Sequence, residues 1–312
     1  MSDRDDLMVD GAAPDPLVDS PSGPAEPARM GAVRLLASNP VTVISAVVLL
    51  VVLLVALLAP WITPYGVNAV DVSRALQAPS GAHWFGTDDL GRDILSRVMI
   101  AARASLQVAL VSVAFAFVVG VTIGVVSGYV GGFLDTVLMR MVDVMFAFPV
   151  LLLALAIVAI LQPGMATTML AIGIVYTPIF ARVARASTLS VRHEPYVQVS
   201  RTMGTPGLTI LGRHVLPNIT GPLIVQTSLS LAFAILSEAA LSFLGLGIQP
   251  PNPSWGGMLA NAQGFLGQAW WMSVFPGAAI FVTVLAFNLL GDGLRDVLDP
   301  KQRTLIEARK KR

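Results

Sequence analysis

ARASTLSVRHEPYVQVSRTMGTPGLTILGRHVLP, residues 184–217, is the most polar stretch between two long apolar runs. It holds Arg185, Arg192, Arg201 and Arg213 against a single acid, Glu194. Its turn chemistry is specific. Pro195 suits a first helical position and predicts a short helix to about Met203. Gly204 suits the left-handed residue just past a helix end. Thr205 is a capping type and Pro206 can open a second helix, which Pro217 is expected to end near His214. The product is two short helices joined at an angle by a glycine and projecting from a membrane. A helical bundle can use such an element to pass force to something outside the bilayer. The plainer reading is a basic loop between two spans.

The membrane follows from composition. Of 312 residues, 55% are hydrophobic and only 12% charged, where soluble domains carry roughly 25% charge. Mean hydropathy is +0.74. The expected fold class is all-α: a polytopic membrane protein of about six transmembrane helices, with the helix-Gly-helix stretch outside the bilayer. The chain has no cysteine, so disulfides, thiolate nucleophiles and Cys-based metal sites are excluded. His83, His193 and His214 stand alone, without zinc-ligand spacing. The net charge of +1 gives no reason to expect nucleic acid.

Outward from the opening stretch, the spans fall at about 41–59, 105–128, 144–161, 165–182, 219–238 and 273–291. The first apolar run, as a helix, is about 28 Å long and crosses a bilayer core. It is preceded by an acidic, proline-rich segment, so residues 1–38 are expected to be a disordered tail and 39–312 the membrane domain. A cleaved signal peptide would need a short basic lead, which is not what stands here. Gly120, Gly124 and Gly128 recur every four residues along the second span and line one face. Such a face lets a neighbouring helix of the bundle approach closely. Pro149 is expected to kink the third span or sit in its first turns.

Two polar segments flank the spans on the other side. His83 to Arg97 reads HWFGTDDLGRDILSR. Its Asp88, Asp89 and Asp93 lack calcium-loop spacing, and Arg92 and Arg97 sit among them. A turn closed by local hydrogen bonds is the plainer reading, and no metal site is expected. In the second segment Pro250, Pro251 and Pro253 break an uncharged run from Ala239 to Gly291. Trp255, Trp270 and Trp271 suit a membrane interface. Glu238, at the end of the fifth span, reads as a snorkelling or hydrogen-bonded group rather than a proton-coupling site.

Six spans put both termini on one side. Of the 20 basic residues, Arg74, Arg92, Arg97 and Arg103 alone fall on the opposite side. The positive-inside rule then places both tails and the 184–217 stretch in the cytoplasm. A nucleotide site is not expected in this chain. A P-loop needs a lysine after a glycine-rich turn, and Lys301, Lys310 and Lys311 all lie in the C-terminal tail without one.

The opening stretch resembles the cytoplasmic EAA loop of ATP-binding cassette (ABC) importer permeases. That family has Glu-Ala-Ala, a glycine four residues on, then Leu-Pro twelve and thirteen residues after it. Gly204, Leu216 and Pro217 keep the spacing, while the Glu-Ala-Ala positions fall on Gln198, Val199 and Ser200 and depart from the pattern. FGTDDLGRDILSR, LSFLGLG, PSWGG and NLLGDGLRDVLDP are similar to signatures of the peptide/nickel type of these permeases, and the likeness runs from about residue 35 onward. The resemblance implies an inner-membrane permease subunit for di- or oligopeptides, with nickel or another small solute as the alternative cargo. Implied partners are a second permease subunit, two ATPase subunits or one fused ATPase that bind ATP and Mg, and an extracytoplasmic solute-binding protein. On this reading Gln198, Val199, Ser200, Met203, Gly204, Thr205, Pro206, His214, Leu216 and Pro217 couple to the ATPase, and Asp88, Asp89, Arg92, Asp93 and Trp255 meet the binding protein. An ion-coupled secondary transporter is the main rival, and would show ionisable or unwound positions at mid-membrane. A structural or signalling membrane protein is a second. An intramembrane enzyme is disfavoured by the lack of Cys, of HExxH and of a clear Ser-His-Asp set.

Overall fold

The computed structural model describes residues 39–298, so the expected acidic tail lies outside the described residues. The architecture is a helical bundle. Its long members are α1 (Pro40–Ile62), α2 (Ile94–Val130), α5 (Met165–Arg192), α8 (Leu216–Phe243) and α10 (Trp271–Leu298). Between them stand α3 (Gly132–Phe146), α4 (Val150–Leu161), α6 (Pro195–Thr202), α7 (Gly207–Ile210) and α9 (Trp255–Ala262). Five helices are long and apolar enough to cross a membrane, or up to six if the bent pair α3–α4 counts as one span. Apart from an isolated bridge between Thr87 and Asp93, the described residues contain no β structure.

Local chemistry sets the helix starts. The Asn39 side chain accepts from the Val41 N–H at 3.0 Å and caps α1. Asp93 caps α2: its Oδ2 accepts from the Ser96 N–H and the Ser96 hydroxyl, both at 2.8 Å.

α2 is the axis of the bundle and packs most extensively on α5. The glycine stripe makes this possible. A Cβ on Gly120 would stand 2.5 Å from the Thr177 carbonyl oxygen, and one on Gly124 would stand 2.3 Å from that of Ala181. One on Gly128 would lie 3.0 Å from the Arg185 carbonyl. In lipid, apolar burial drives helix pairing weakly, so close backbone packing of this kind carries the association. α10 approaches α1 equally closely through Gly293 and Thr42, and receives a hydrogen bond from Ser228 of α8 at the Phe287 carbonyl, 2.8 Å long.

The expected third span over 144–161 is not one straight helix. α3 and α4 meet at an angle of 89°. Pro149 is the reason: with no N–H it cannot continue the α3 ladder, and its extended ψ of 127° turns the chain before α4 begins.

At one end of the bundle, residues 63–93 and 244–270 fold together into a cap. The Trp271 indole donates to the Thr87 carbonyl and the Trp255 indole to the Val98 carbonyl, each at 3.1 Å. Phe85 stacks on Phe275 with ring centroids 3.9 Å apart. Trp255 and Trp271 are thus buried joints of the cap rather than interface anchors, while Trp270 is exposed.

Candidate functional site

At the opposite end of α8 lies the element formed by residues 195–217. α6 ends in a Schellman turn: the Thr205 N–H returns to the Ser200 carbonyl at 3.1 Å, and the Gly204 N–H to the Arg201 carbonyl at 3.0 Å. Gly204 takes φ +77°, the left-handed region, with open space where a Cβ would stand. The next helix starts from Pro206, whose carbonyl accepts from the Thr209 and Ile210 N–H groups, and the Thr205 side chain forms no cap.

That second helix does not stop near His214. Leu211–Val215 forms a π-helical turn, with the Leu216 N–H reaching back to the Leu211 carbonyl, and leads directly into α8. The widened turn takes up the missing N–H of Pro217 without ending the helix. One helix therefore runs from Gly207 to Phe243, a rod of about 55 Å at 1.5 Å per residue.

The element has a buried side and a bare side. Val197, Ile210 and Val215 are fully buried and seat it on the bundle. Gly207 lies close under the Tyr129 ring at the end of α2, and the Arg201 guanidinium stands 5.0 Å above the same ring. Tyr196 and His214 bring their rings within 5.8 Å. Gln198 donates to the His193 carbonyl at 3.1 Å and Ser200 to the Tyr196 carbonyl at 2.8 Å, so these two of the departed motif positions serve the helix locally. On the bare side Met203 is 79% exposed and Leu208 85% exposed, flanking Gly204. Val199, Leu216 and Pro217 are exposed as well.

Charges brace the base. Arg185 of α5 grips Asp135 of α3 with two hydrogen bonds of 2.6 and 2.7 Å, and the Ser127 hydroxyl of α2 donates to the same carboxylate. Arg182 pairs with Asp143 at 2.7 Å and lies 3.8 Å over the Phe146 ring. Arg192 donates to the Gly128 carbonyl at 3.3 Å.

At the far end of the rod, Glu238 is fully buried, not snorkelling. It accepts from the Ser105 hydroxyl of α2 at 2.8 Å and from the Ser242 hydroxyl at 2.7 Å. Ser242 in turn accepts from the Ile248 N–H at 3.2 Å. One carboxylate thus ties the rod to α2 and to the cap loop. A buried acceptor removed from its donors costs about 1–3 kcal/mol. Glu238→Ala should therefore lower the thermal unfolding midpoint in detergent, whereas Glu238→Gln, which keeps one acceptor oxygen, should recover most of it. An unchanged midpoint in the alanine variant would remove the network from the account of stability.

The residues expected to meet a binding protein turn inward. Arg92 holds Asp88 at 2.6 Å, Arg97 lies 3.7 Å from the same carboxylate, and Asp93 pairs with His83 at 2.9 Å. Asp88, Arg92, Asp93 and Trp255 are all buried, and Asp89 is half-buried, 3.8 Å from Arg92. In the isolated subunit these four side chains are spent on the cap itself. Opposite charges placed three to ten residues apart satisfy one another and close the cap from within. The faces they leave outside are Trp84, Leu90 and Trp270, all exposed.

The profile of binding-protein-dependent transport system inner membrane components matches residues 120–304. The chain belongs to this family. Residues 30–79 also match the N-terminal TM domain of oligopeptide transport permease C. This permease is 44% identical over 269 residues to the probable D,D-dipeptide transport system permease protein of Escherichia coli strain K12, covering 86% of this chain and 90% of that one. It is 43% identical to the dipeptide transport system permease protein of Alkalihalophilus pseudofirmus, covering 88% and 90%. It is 44% identical to the glutathione transport system permease protein of Pectobacterium atrosepticum, covering 85% and 88%. Among solved structures, an inward-facing MetNI methionine ABC transporter chain aligns with a TM-score of 0.55 at 18% identity, covering 66% of this permease and 98% of that chain. That likeness concerns the fold. The ABC importer permease expected from the separated motifs is therefore what the chain is, a multi-pass membrane subunit.

Proposed function

We propose that this permease carries di- or oligopeptides as half of a heterodimeric pore, driven by ATPase subunits that seat on the 195–217 element. Two ATPase chains, or one fused chain, bind ATP and Mg; a solute-binding protein delivers the peptide at the cap. The element and both termini lie in the cytoplasm, as the distribution of basic residues favours.

The observation that carries this reading is the unbroken helix from Gly207 to Phe243. A push on the exposed Met203–Leu208 tip moves a rod whose other end, through Glu238, holds α2 and the cap loop. At the opposite end of the bundle from Glu238, the brace of Arg185, Asp135 and Ser127 ties α5 to α3 and α2. ATP binding closes the ATPase pair and rotates these rods, and the path opens toward the binding protein. Hydrolysis returns it to the inward-facing state. The names of the relatives, which concern dipeptides, D,D-dipeptides and glutathione, support a peptide as cargo.

The absence of cysteine gives a clean test. Met203→Cys, in membranes holding the assembled transporter, should cross-link to a P-loop ATPase and resist an impermeant maleimide added from outside. Labelling from outside would overturn the orientation. A cysteine reachable only from the cytoplasm that joins no ATPase would overturn the docking.

A further inference from the structure

We propose that Arg103 is a recognition site for the carboxylate of the transported peptide, an assignment that rests on the peptide reading above. Four arginines belong to the cap end. Arg74 is held by Asp71, and Arg92 and Arg97 by Asp88. Arg103 is different: among the described residues it has neither an acidic partner nor a side-chain hydrogen bond. It stands nine residues into α2, about 14 Å along the axis from the helix start, at the edge of the uncharged run that follows.

The face it occupies turns away from its own bundle. Ser105, Leu106, Val108 and Ala109 are buried, whereas Arg103 and Gln107 are exposed, one turn apart on the same side. Both line a cleft of about 360 Å³, with Gln249 and Asn252 from the cap loop across from them. A cleft of this size suits a small ligand, since such sites run to roughly 300–1,000 Å³. Gly164 and Met165, the start of α5, line it too. The first-turn N–H groups of a helix lack internal partners, and its N-terminus favours negative charge.

The chemistry is therefore that of an anion with amides attached. A guanidinium fork matches a carboxylate with two parallel hydrogen bonds. Gln107 and Asn252 offer both donors and acceptors to a peptide backbone, while Gln249, whose amide nitrogen donates to the Gly245 and Gly247 carbonyls, offers its acceptor oxygen. A cation at the edge of a membrane span favours an anionic partner, and among the described residues no acidic side chain pairs with Arg103. A C-terminal carboxylate passing along the cleft supplies one at each turnover. A paired arginine would bind it less well, because its own aspartate would compete.

The test uses the complete transporter in proteoliposomes, with saturating binding protein and two probes: radiolabelled alanyl-alanine and its C-terminal amide. Each variant is compared with wild type for each probe separately, so any preference of the binding protein cancels. Arg103→Gln should lower uptake of the free acid about tenfold and that of the amide less than twofold. Arg103→Lys should fall between. Equal losses for the two probes overturn the assignment, and loss of the second permease subunit on purification would place Arg103 in an intersubunit ion pair instead. Unchanged uptake of the free acid also overturns it. If wild type takes up neither probe, the peptide reading itself falls, and the assignment with it.

Discussion

Gly124→Leu is expected to leave no folded permease in detergent extracts of the membrane. The argument is one of distance. Even a methyl group at Gly124 would stand 2.3 Å from the Ala181 carbonyl oxygen and 2.7 Å from the Ala184 Cβ. Both contacts belong to the backbone or first carbon of α5, so no side chain can swing aside. The helices must separate, and separation would undo the Gly120 contact next to it and the approach of Tyr129 to Gly207 beyond. Overpacking by single methylenes costs about 1–3 kcal/mol, and leucine adds several. The graded series sharpens the test. Gly120→Ala and Gly124→Ala meet carbonyls at 2.5 and 2.3 Å, whereas Gly128→Ala meets one at 3.0 Å. Alanine is favoured over glycine within a helix by about 1 kcal/mol. That gain nearly offsets the strain at Gly128 and falls well short of it at Gly124. Thermal unfolding midpoints should fall in that order. A Gly128→Ala variant less stable than Gly124→Ala would show that the α2–α5 crossing is not set by this stripe.

These glycines were readable because they obey a local period. The same holds for the apolar runs and for Gly204, whose left-handed conformation follows from its place after a short helix. Features that depend on distant residues were not readable. Trp255 is an interface residue by composition, yet its indole finds the Val98 carbonyl, 157 positions away, and is buried there. Asp88, Arg92 and Asp93 look like a surface cluster until Arg97 and His83 fold over them. Glu238 has the sequence context of a span end, and only the approach of Ser105 on α2 makes it an internal tie. Proline was only partly readable. Pro149, expected to kink the third span or sit in its first turns, stands just before the first turn of α4, at an 89° bend. Pro217, expected to end a helix, is carried through by a π turn that no propensity scale signals. That turn joins the second short helix to the span as one rod from Gly207 to Phe243, so the continuity of the opening stretch with the span was the part least visible in it.

Gly204→Trp is expected to abolish ATP-driven uptake while leaving the permease itself folded. Open space surrounds the position a Cβ would take at Gly204, so a side chain there leaves the backbone without a clash. The internal cost is the φ of +77° alone, about 1–2 kcal/mol for an L-residue in the left-handed region. A bundle held by the glycine stripe and the Asp135 brace should absorb that. On the proposed docking, the same space between Met203 and Leu208 receives the ATPase groove, and a bulky ring there would hold the two surfaces apart. Uptake should therefore fall more than tenfold, with permease abundance within twofold of wild type and co-purification of the ATPase lost. Gly204→Asn separates the two effects, because asparagine tolerates the left-handed region and adds little bulk; it should retain ATPase binding and most of the transport. If both variants lose transport equally, backbone strain at the turn is the cause and not a blocked seat. Normal coupling in Gly204→Trp would mean that the ATPase engages the permease elsewhere, and that the rod from Gly207 to Phe243 transmits nothing from its exposed end.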